Sequence, residues 1–548
     1  MPSGAELNGL VSGGLDELAP FPHRVAVCAY GPSFYAKPGA YIGQDLLVIR
    51  DKYADGLRTY LRTTEKQQTR FLLVDRSLIE SDIERGTLGD FLTEKLIYPY
   101  RALANQDYLD DLSLQAARRT VKEEARDLVL NYGEMCRGIV AAPEFFGLSK
   151  LRRRARVFVP SLEDYLRLLD PAVRQQNLST LREAFSKAVS GMGGDGVEFD
   201  GENVAFQDQS VDKWLKVRSS EQAVNILRHS QRALYSYLAR GRTVFLSPEL
   251  LARELSSPLR LSLDPDLVGR QPENPNNSLY LRTEEGLVSF NERSSLEEML
   301  SKLRPGRPMT VSPLAGVLNE VYLVTLGRER FVAKRFTDWH GFKWFTLNLV
   351  SLGSKLFSVS GKARLTNEYG INRYLAKKGL KVPQVINVNV KQRILVETYI
   401  SGVPMNEFVS QAIGGGALGT SQYRLAEAFG ESLARIHEAG VAVGDAKPEN
   451  FVAKGDEIYT VDLEQAGKHG DQAWDIAELL FYTGHYSNTA TPTRGFTEVV
   501  EAFILGYLKA GNARELKRAT GARYVRVFSL WTPAPIIVEI SRLLREAK

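Results

Sequence analysis

The stretch that decides the fold reads Val443-Gly444-Asp445-Ala446-Lys447-Pro448-Glu449-Asn450-Phe451, followed by Ile458-Tyr459-Thr460-Val461-Asp462-Leu463-Glu464. The D-x-K-x-x-N spacing gathers a carboxylate, an ammonium and an amide oxygen in one tight loop. Asp462, twelve residues after Asn450, ends a strand-like apolar run. A hard cation prefers oxygen ligands, so Asn450 and Asp462 are candidate magnesium ligands. Asp445 is then free to face an acceptor hydroxyl, with Lys447 beside the group being transferred.

Working outward, the rest of a phosphoryl-transfer site has candidates in the same part of the chain. Gly316–Val324 (GVLNEVYLV) and Phe331–Phe336 (FVAKRF) are expected to form a hairpin, with Lys334 on a strand next to the Gly316 turn. Lys334 is the candidate anchor for ATP phosphates. A helix over about 363–378 carries Glu368, which can pair with Lys334 and fix an otherwise flexible ammonium. The apolar strand Ile394–Tyr399 (ILVETY) carries Glu397 just before the Ser401-Gly402 break, a hinge whose backbone suits an adenine edge. Each part alone is an ordinary ion pair or turn; the ordered set carries the argument.

Taken in order, GVLNEVYLV, VAKRF, ILVETYISG, IHEAGVAVGDAKPENF and YTVDLEQA resemble the protein-kinase-like superfamily over residues 310–548. The resemblance is greatest to small archaeal-type kinases: the kinase of the tRNA threonylcarbamoyladenosine complex, the RIO kinases and the lipopolysaccharide-core kinases. KARLTNEYGINRYLAKKGLKVPQVINV is similar to their glutamate-bearing helix and following strand entry. The resemblance implies a two-lobed fold using ATP and Mg2+, and it marks Asp475 as the aspartate opening the next helix. The sequence departs from eukaryotic protein kinases in keeping one clear glycine, Gly316, in the phosphate loop, in Val443 replacing histidine, and in Asp462-Leu463-Glu464 replacing DFG. Only a short segment separates Asp462 from Asp475, which disfavours an extended peptide substrate.

A fainter pattern lies near the amino terminus. Ala29-Tyr30-Gly31-Pro32-Ser33, then Asp45 on DLLVI, resembles the signature of small nucleotidyltransferases, and Asp75 after FLLV could match their third carboxylate. Two-metal chemistry needs carboxylates at positions i and i+2 of one strand, but position 43 is Gly43. The domain is therefore expected to be degenerate. Lys150–Arg156 (KLRRRAR) is a candidate phosphate contact should RNA or nucleotide bind, although a solvated basic face is the simpler reading.

The chain has 548 residues, long enough for about three or four domains. Its 44% hydrophobic and 25% charged composition excludes a disordered or fibrous class. A net charge of +5 is too small to mark an electrostatic nucleic-acid binder. The cysteines Cys28 and Cys136 give no disulfide framework or zinc site, and no apolar run reaches the roughly 18 residues of a membrane span. A cytoplasmic location follows.

Leu114, Ala117, Val121, Ala125, Leu128, Tyr132 and Met135 repeat at helical spacing, and further helices are expected through Ser220–Leu238. The Gly191–Gly201 and Ile413–Gly419 clusters read as turn and loop, and the aromatic Trp339–Phe357 segment reads as lobe packing. The fold class is multidomain α+β: a flexible tail over 1–20, an α/β nucleotidyltransferase-like unit over 21–105, a helical region over 106–240, a small mixed module over 241–304, and a two-lobed kinase-like domain over 305–548. The expected function is ATP- and magnesium-dependent transfer of the γ-phosphate to a hydroxyl or to water, the acceptor being a protein or a small molecule. The alternatives are a nucleotidyltransferase regulated by the kinase-like lobe and a nucleotide-sensing pseudokinase.

Overall fold

The computed structural model describes residues 24–39, 43–63, 68–156, 159–194, 196–216, 264, 267–314, 319–338, 358, 360–414, 416–486, 491–530 and 532–548. Gly316, the tail over 1–20, the Ser220–Leu238 helix, the strand-like TVFLS and the aromatic segment Trp339–Phe357 lie outside them. The chain divides into two compact units, 1–130 with 140–279, and 131–139 with 280–548. No helix among the described residues is long and apolar enough to cross a membrane.

In the first unit, the strands Leu57–Thr63, Gln68–Asp75, Gln44–Arg50, Arg24–Tyr30 and Arg101–Ala104 form one sheet in that order. Gln44–Arg50 and Gln68–Asp75 run parallel and the other neighbours antiparallel. Alternation splits the apolar run at 46–49 between two faces: Leu47 and Ile49 join Ile79, Leu96 and Leu112, while Leu46 and Val48 join Val27, Phe71 and Leu73. Gly31 ends the first strand at φ 92°, and a Cβ there would lie 2.9 Å from Asp45 Oδ2, so this turn requires glycine.

The buried Asp45 carboxylate pairs with Arg70 at 3.3 Å. Asp75 serves the fold: its Oδ1 caps the helix Arg76–Arg85 by accepting Ser77 N at 2.9 Å, and its Oδ2 accepts Tyr53 N at 2.6 Å. Burial opposes its charge, but the hydrogen bonds from Ser77 and Tyr53 outweigh burial and hold the carboxyl below the usual aspartate value. Asp75→Ala should therefore cost about 1 kcal/mol at neutral pH. A depressed folded pKa gives stability that is present above the unfolded pKa and lost as pH falls through the folded one. The difference in urea midpoint between wild type and variant should accordingly shrink between neutral pH and about pH 3.

The basic run is committed inside this unit. Lys150 pairs with Asp90 at 2.6 Å and Glu123 at 3.0 Å, Arg153 with Asp127 at 2.6 Å and with Glu124, and Arg154 with Glu94. Lys150 and Arg154 are buried, so neither the expected phosphate contact nor a solvated face describes them. The helix Gln106–Tyr132 stops before Met135, where Gly133 adopts φ 56° and a 3-10 turn over Gly133–Arg137 follows. Gly191–Gly201 forms turns around the strand Val197–Asp200.

The second unit has a sheet in the order Met309–Leu314, Glu320–Leu326, Glu329–Arg335, Ile394–Thr398, Val385–Asn389, antiparallel throughout. One face carries Val324, Phe331, Ala333 and Val396 against Met299 and Leu300 of the helix Leu296–Leu303. The helix Gly361–Lys377 meets the 3-10 turn so closely that a Cβ on Gly370 would lie 2.2 Å from the Glu134 backbone. The remainder is a helical lobe in which Thr420–Glu438, Gln472–Thr483, Arg494–Tyr507 and Ala534–Glu546 share one core.

Candidate active site

Register places the phosphate-anchor lysine. In Glu329–Arg335, Phe331 and Ala333 face the sheet core, so Val332 and Lys334 take the other face. On the adjoining strand Glu397 lies opposite Val332 and Leu395 opposite Lys334, which puts Glu397 on that same face. Lys334 Nζ contacts Glu368 Oε1 at 2.6 Å, Val461 O at 2.7 Å and Glu397 Oε2 at 3.4 Å. Glu368 is the partner expected, and its Oε2 also accepts Leu463 N at 2.5 Å. One buried carboxylate thus fixes both the lysine and the segment bearing Asp462.

Burial opposes the Lys334 charge, but Glu368, Glu397 and Asp462 outweigh it and hold the ammonium protonated well above the ordinary lysine range. Burial pushes the Glu397 carboxyl up against the pull of Lys334. The expectation for Glu397 was a hinge acting through its backbone; the structure turns its side chain inward onto the lysine.

The loop bearing Asp445 is strapped from behind. Gly444 adopts φ 82°, a left-handed conformation that suits glycine. Asp475, fully buried at the start of Gln472–Thr483, accepts Val443 N at 2.6 Å and Gly444 N at 2.8 Å. Glu478, three residues on, accepts Ala446 N and Trp474 Nε1, each at 2.9 Å. Within the loop, Lys447 Nζ lies 2.7 Å from Asp445 Oδ1, and Asn450 Nδ2 donates to Asp445 O at 2.7 Å and Oδ2 at 3.3 Å. Burial opposes the charge of Lys447, and Asp445 with Glu478 reverses this and raises its pKa. Val461 N donates to Asn450 O at 2.9 Å, so Asn450 and Asp462 lie on adjoining backbone segments.

Sequence reasoning missed a polar latch at Glu464. Its Oε2 accepts from Arg364 Nη1 at 3.1 Å and Asn319 Nδ2 at 2.5 Å, Arg364 also donates to Asn319 Oδ1 at 2.6 Å, and Asn367 donates to Glu464 O at 3.2 Å. Burial and the adjacent Asp462 outweigh Arg364 and raise the Glu464 carboxyl to about 7. Glu478 was also missed. Its signal was a second carboxylate in the otherwise apolar AWDIAELLFY, since a buried acid on such a helix needs a partner.

The C-terminal region that carries this constellation is also the part of the chain similar to known phosphotransferases. Residues 310–481 match the model of the phosphotransferase enzyme family APH. KEOPS complex subunit Bud32 of Pyrococcus abyssi is 28% identical over 150 residues, which is 26% of this chain and 64% of that protein. The chain thus spans slightly under two thirds of this relative. A crystal structure from Ralstonia eutropha JMP134, assigned as an aminoglycoside phosphotransferase, aligns at 10% identity and a TM-score of 0.26, covering 46% of this chain and 98% of that one.

Proposed function

We propose that the protein is an ATP- and magnesium-dependent phosphotransferase that moves the γ-phosphate onto a hydroxyl of a protein or small molecule, or onto water. The observation that carries this reading is the linkage of Asp445, Lys447 and Asn450 in one loop, hydrogen-bonded through Asn450 O to the segment bearing Asp462 and, through Val461 O, to Lys334. Asp445 orients and accepts the proton of the acceptor, while Lys447 and Lys334 neutralise phosphoryl charge.

The donor set fits a magnesium ion. The Asn450 amide nitrogen is committed to Asp445, leaving Oδ1 as the remaining polar atom of the side chain, and Asp462 adds a carboxylate. Asn450 and Asp462 would hold the ion, which when bound neutralises phosphate charge. The presence of Asp445, Asn450 and Asp462 weighs against a nucleotide-sensing scaffold. Residues 21–105 are read as a nucleotidyltransferase-like unit without catalysis, on the Gly31 turn against Asp45 and the pairing of Asp45 with Arg70.

The test is incubation of the full chain with γ-labelled ATP and magnesium, following label in free phosphate, in protein and in added alcohols. Wild type should release or transfer label, and Asp462→Asn should do so at least about a hundredfold more slowly. Equal rates for the two would overturn the assignment.

A further inference from the structure

The ammonium of a lysine has three protons to donate. On Lys334 two donors are taken by hydrogen bonds to Glu368 Oε1 and Val461 O, and Glu397 Oε2 forms an ion pair with the same ammonium. A phosphate oxygen approaching this lysine competes with these three groups. The Glu368 and Val461 contacts, at 2.6 and 2.7 Å, belong to groups tied into the site frame, since Glu368 also holds Leu463 N and Val461 N holds Asn450 O. The Glu397 contact is the longest at 3.4 Å. Glu397 can stay in place when the lysine leaves, because its Oε1 accepts from Asn372 Nδ2 at 3.2 Å, and Asn372 is itself anchored to Pro383 O at 2.9 Å.

Charge points the same way. Glu368, Glu397 and Asp462 all act on the single Lys334 ammonium, so the pocket meant for a polyanion carries more carboxylate than lysine. Glu397 is 1% exposed, and a carboxylate this deeply buried has no reason to be where it is unless it serves the cation beside it.

We infer that Glu397 is an internal stand-in for the nucleotide phosphates: a positioning residue that holds Lys334 in the nucleotide-free protein, yields it when phosphates arrive, and thereby sets nucleotide affinity. The inference rests on the reading of Lys334 as phosphate anchor. It differs from a purely structural role in the sign of its effect, because a brace on Lys334 would help binding whereas a competitor opposes it.

The experiment is equilibrium binding of ADP with magnesium to the full chain, comparing wild type, Glu397→Gln and Glu397→Met. Gln keeps the hydrogen bond from Asn372 and removes only the charge; Met removes both at similar volume. Both variants should bind about tenfold more tightly, and the KM for ATP should fall while kcat does not rise. Glu368→Gln should move the other way. Unchanged or weaker binding in both Glu397 variants, with wild type binding normally, overturns the inference and leaves the phosphotransferase reading standing. Absence of binding by wild type and by every variant overturns the phosphate-anchor role of Lys334 and this inference with it.

Discussion

Asp445→Asn is expected to slow phosphate transfer about a thousandfold while leaving nucleotide affinity within a few-fold of wild type. The substitution keeps size and shape but exchanges an oxygen that accepts a proton for an amide that cannot, and positioned general bases contribute about 10²–10⁴ in rate. It also alters the charge beside Lys447. Asp445 Oδ1 lies 2.7 Å from Lys447 Nζ, and the carboxylate is the leading reason that ammonium stays protonated despite burial. Nucleotide binding should be spared because Lys334 and Glu368 are held by Val461 O and Leu463 N, and Asn450 keeps its 2.7 Å bond to the Asp445 carbonyl. Single-turnover measurement separates the two effects. A variant that turned over at the wild-type rate would move the acceptor-activating group elsewhere, whereas one that lost nucleotide affinity instead would make Asp445 a binding residue.

The parts of this site legible in the sequence are those whose spacing is local. Asp445, Lys447 and Asn450 fall within one turn, so a short motif fixes their proximity. Lys334 and Glu368 are 34 residues apart, yet each sits on an element with its own period, and the pairing follows once the strand and helix are recognised. Glu397 shows where this stops. Its place on a strand was read correctly, but which way the side chain turns depends on a register between strands some sixty residues apart in sequence.

Lys150 and Arg154 of the basic run were misplaced for a related reason. A sequence window shows its cations and hides the acids that neutralise them, because Asp90 and Glu94 lie sixty residues upstream of Lys150 and Arg154. The Glu464 latch was opaque because each of its members, Asn319, Arg364 and Asn367, is unremarkable until the fold brings it to one carboxylate. In the other direction, Asp75 at the end of a strand matched an expected ligand position, and Ser77 two residues later was the local sign that it caps a helix instead.

The second large effect is expected at Asp475, away from the reacting atoms. Asp475 is wholly buried, accepts from Val443 N and Gly444 N, and lies 3.1 Å from His437 Nε2, while His437 Nδ1 lies 2.7 Å from Tyr507 OH. Asp475→Ala strips three buried polar groups of their partner at once, at a cost of about 3–5 kcal/mol. At roughly 2–4 °C per kcal/mol for a unit of this size, the melting midpoint should fall by about 10 °C. Activity should fall further than stability does, by about a hundredfold even where the variant is fully folded, because the lost bonds begin two residues before Asp445. Glu478→Gln provides the contrast: its amide oxygen can still accept Ala446 N and Trp474 Nε1, so stability should change little, while loss of its charge near Lys447 should lower activity less than Asp475→Ala does. If Asp475→Ala lost stability but kept wild-type turnover in its folded fraction, the loop would be held by Glu478 and by the pairing of Val441 and Ala442 with Lys468 and Gly467, and Asp475 would belong to the lobe core alone.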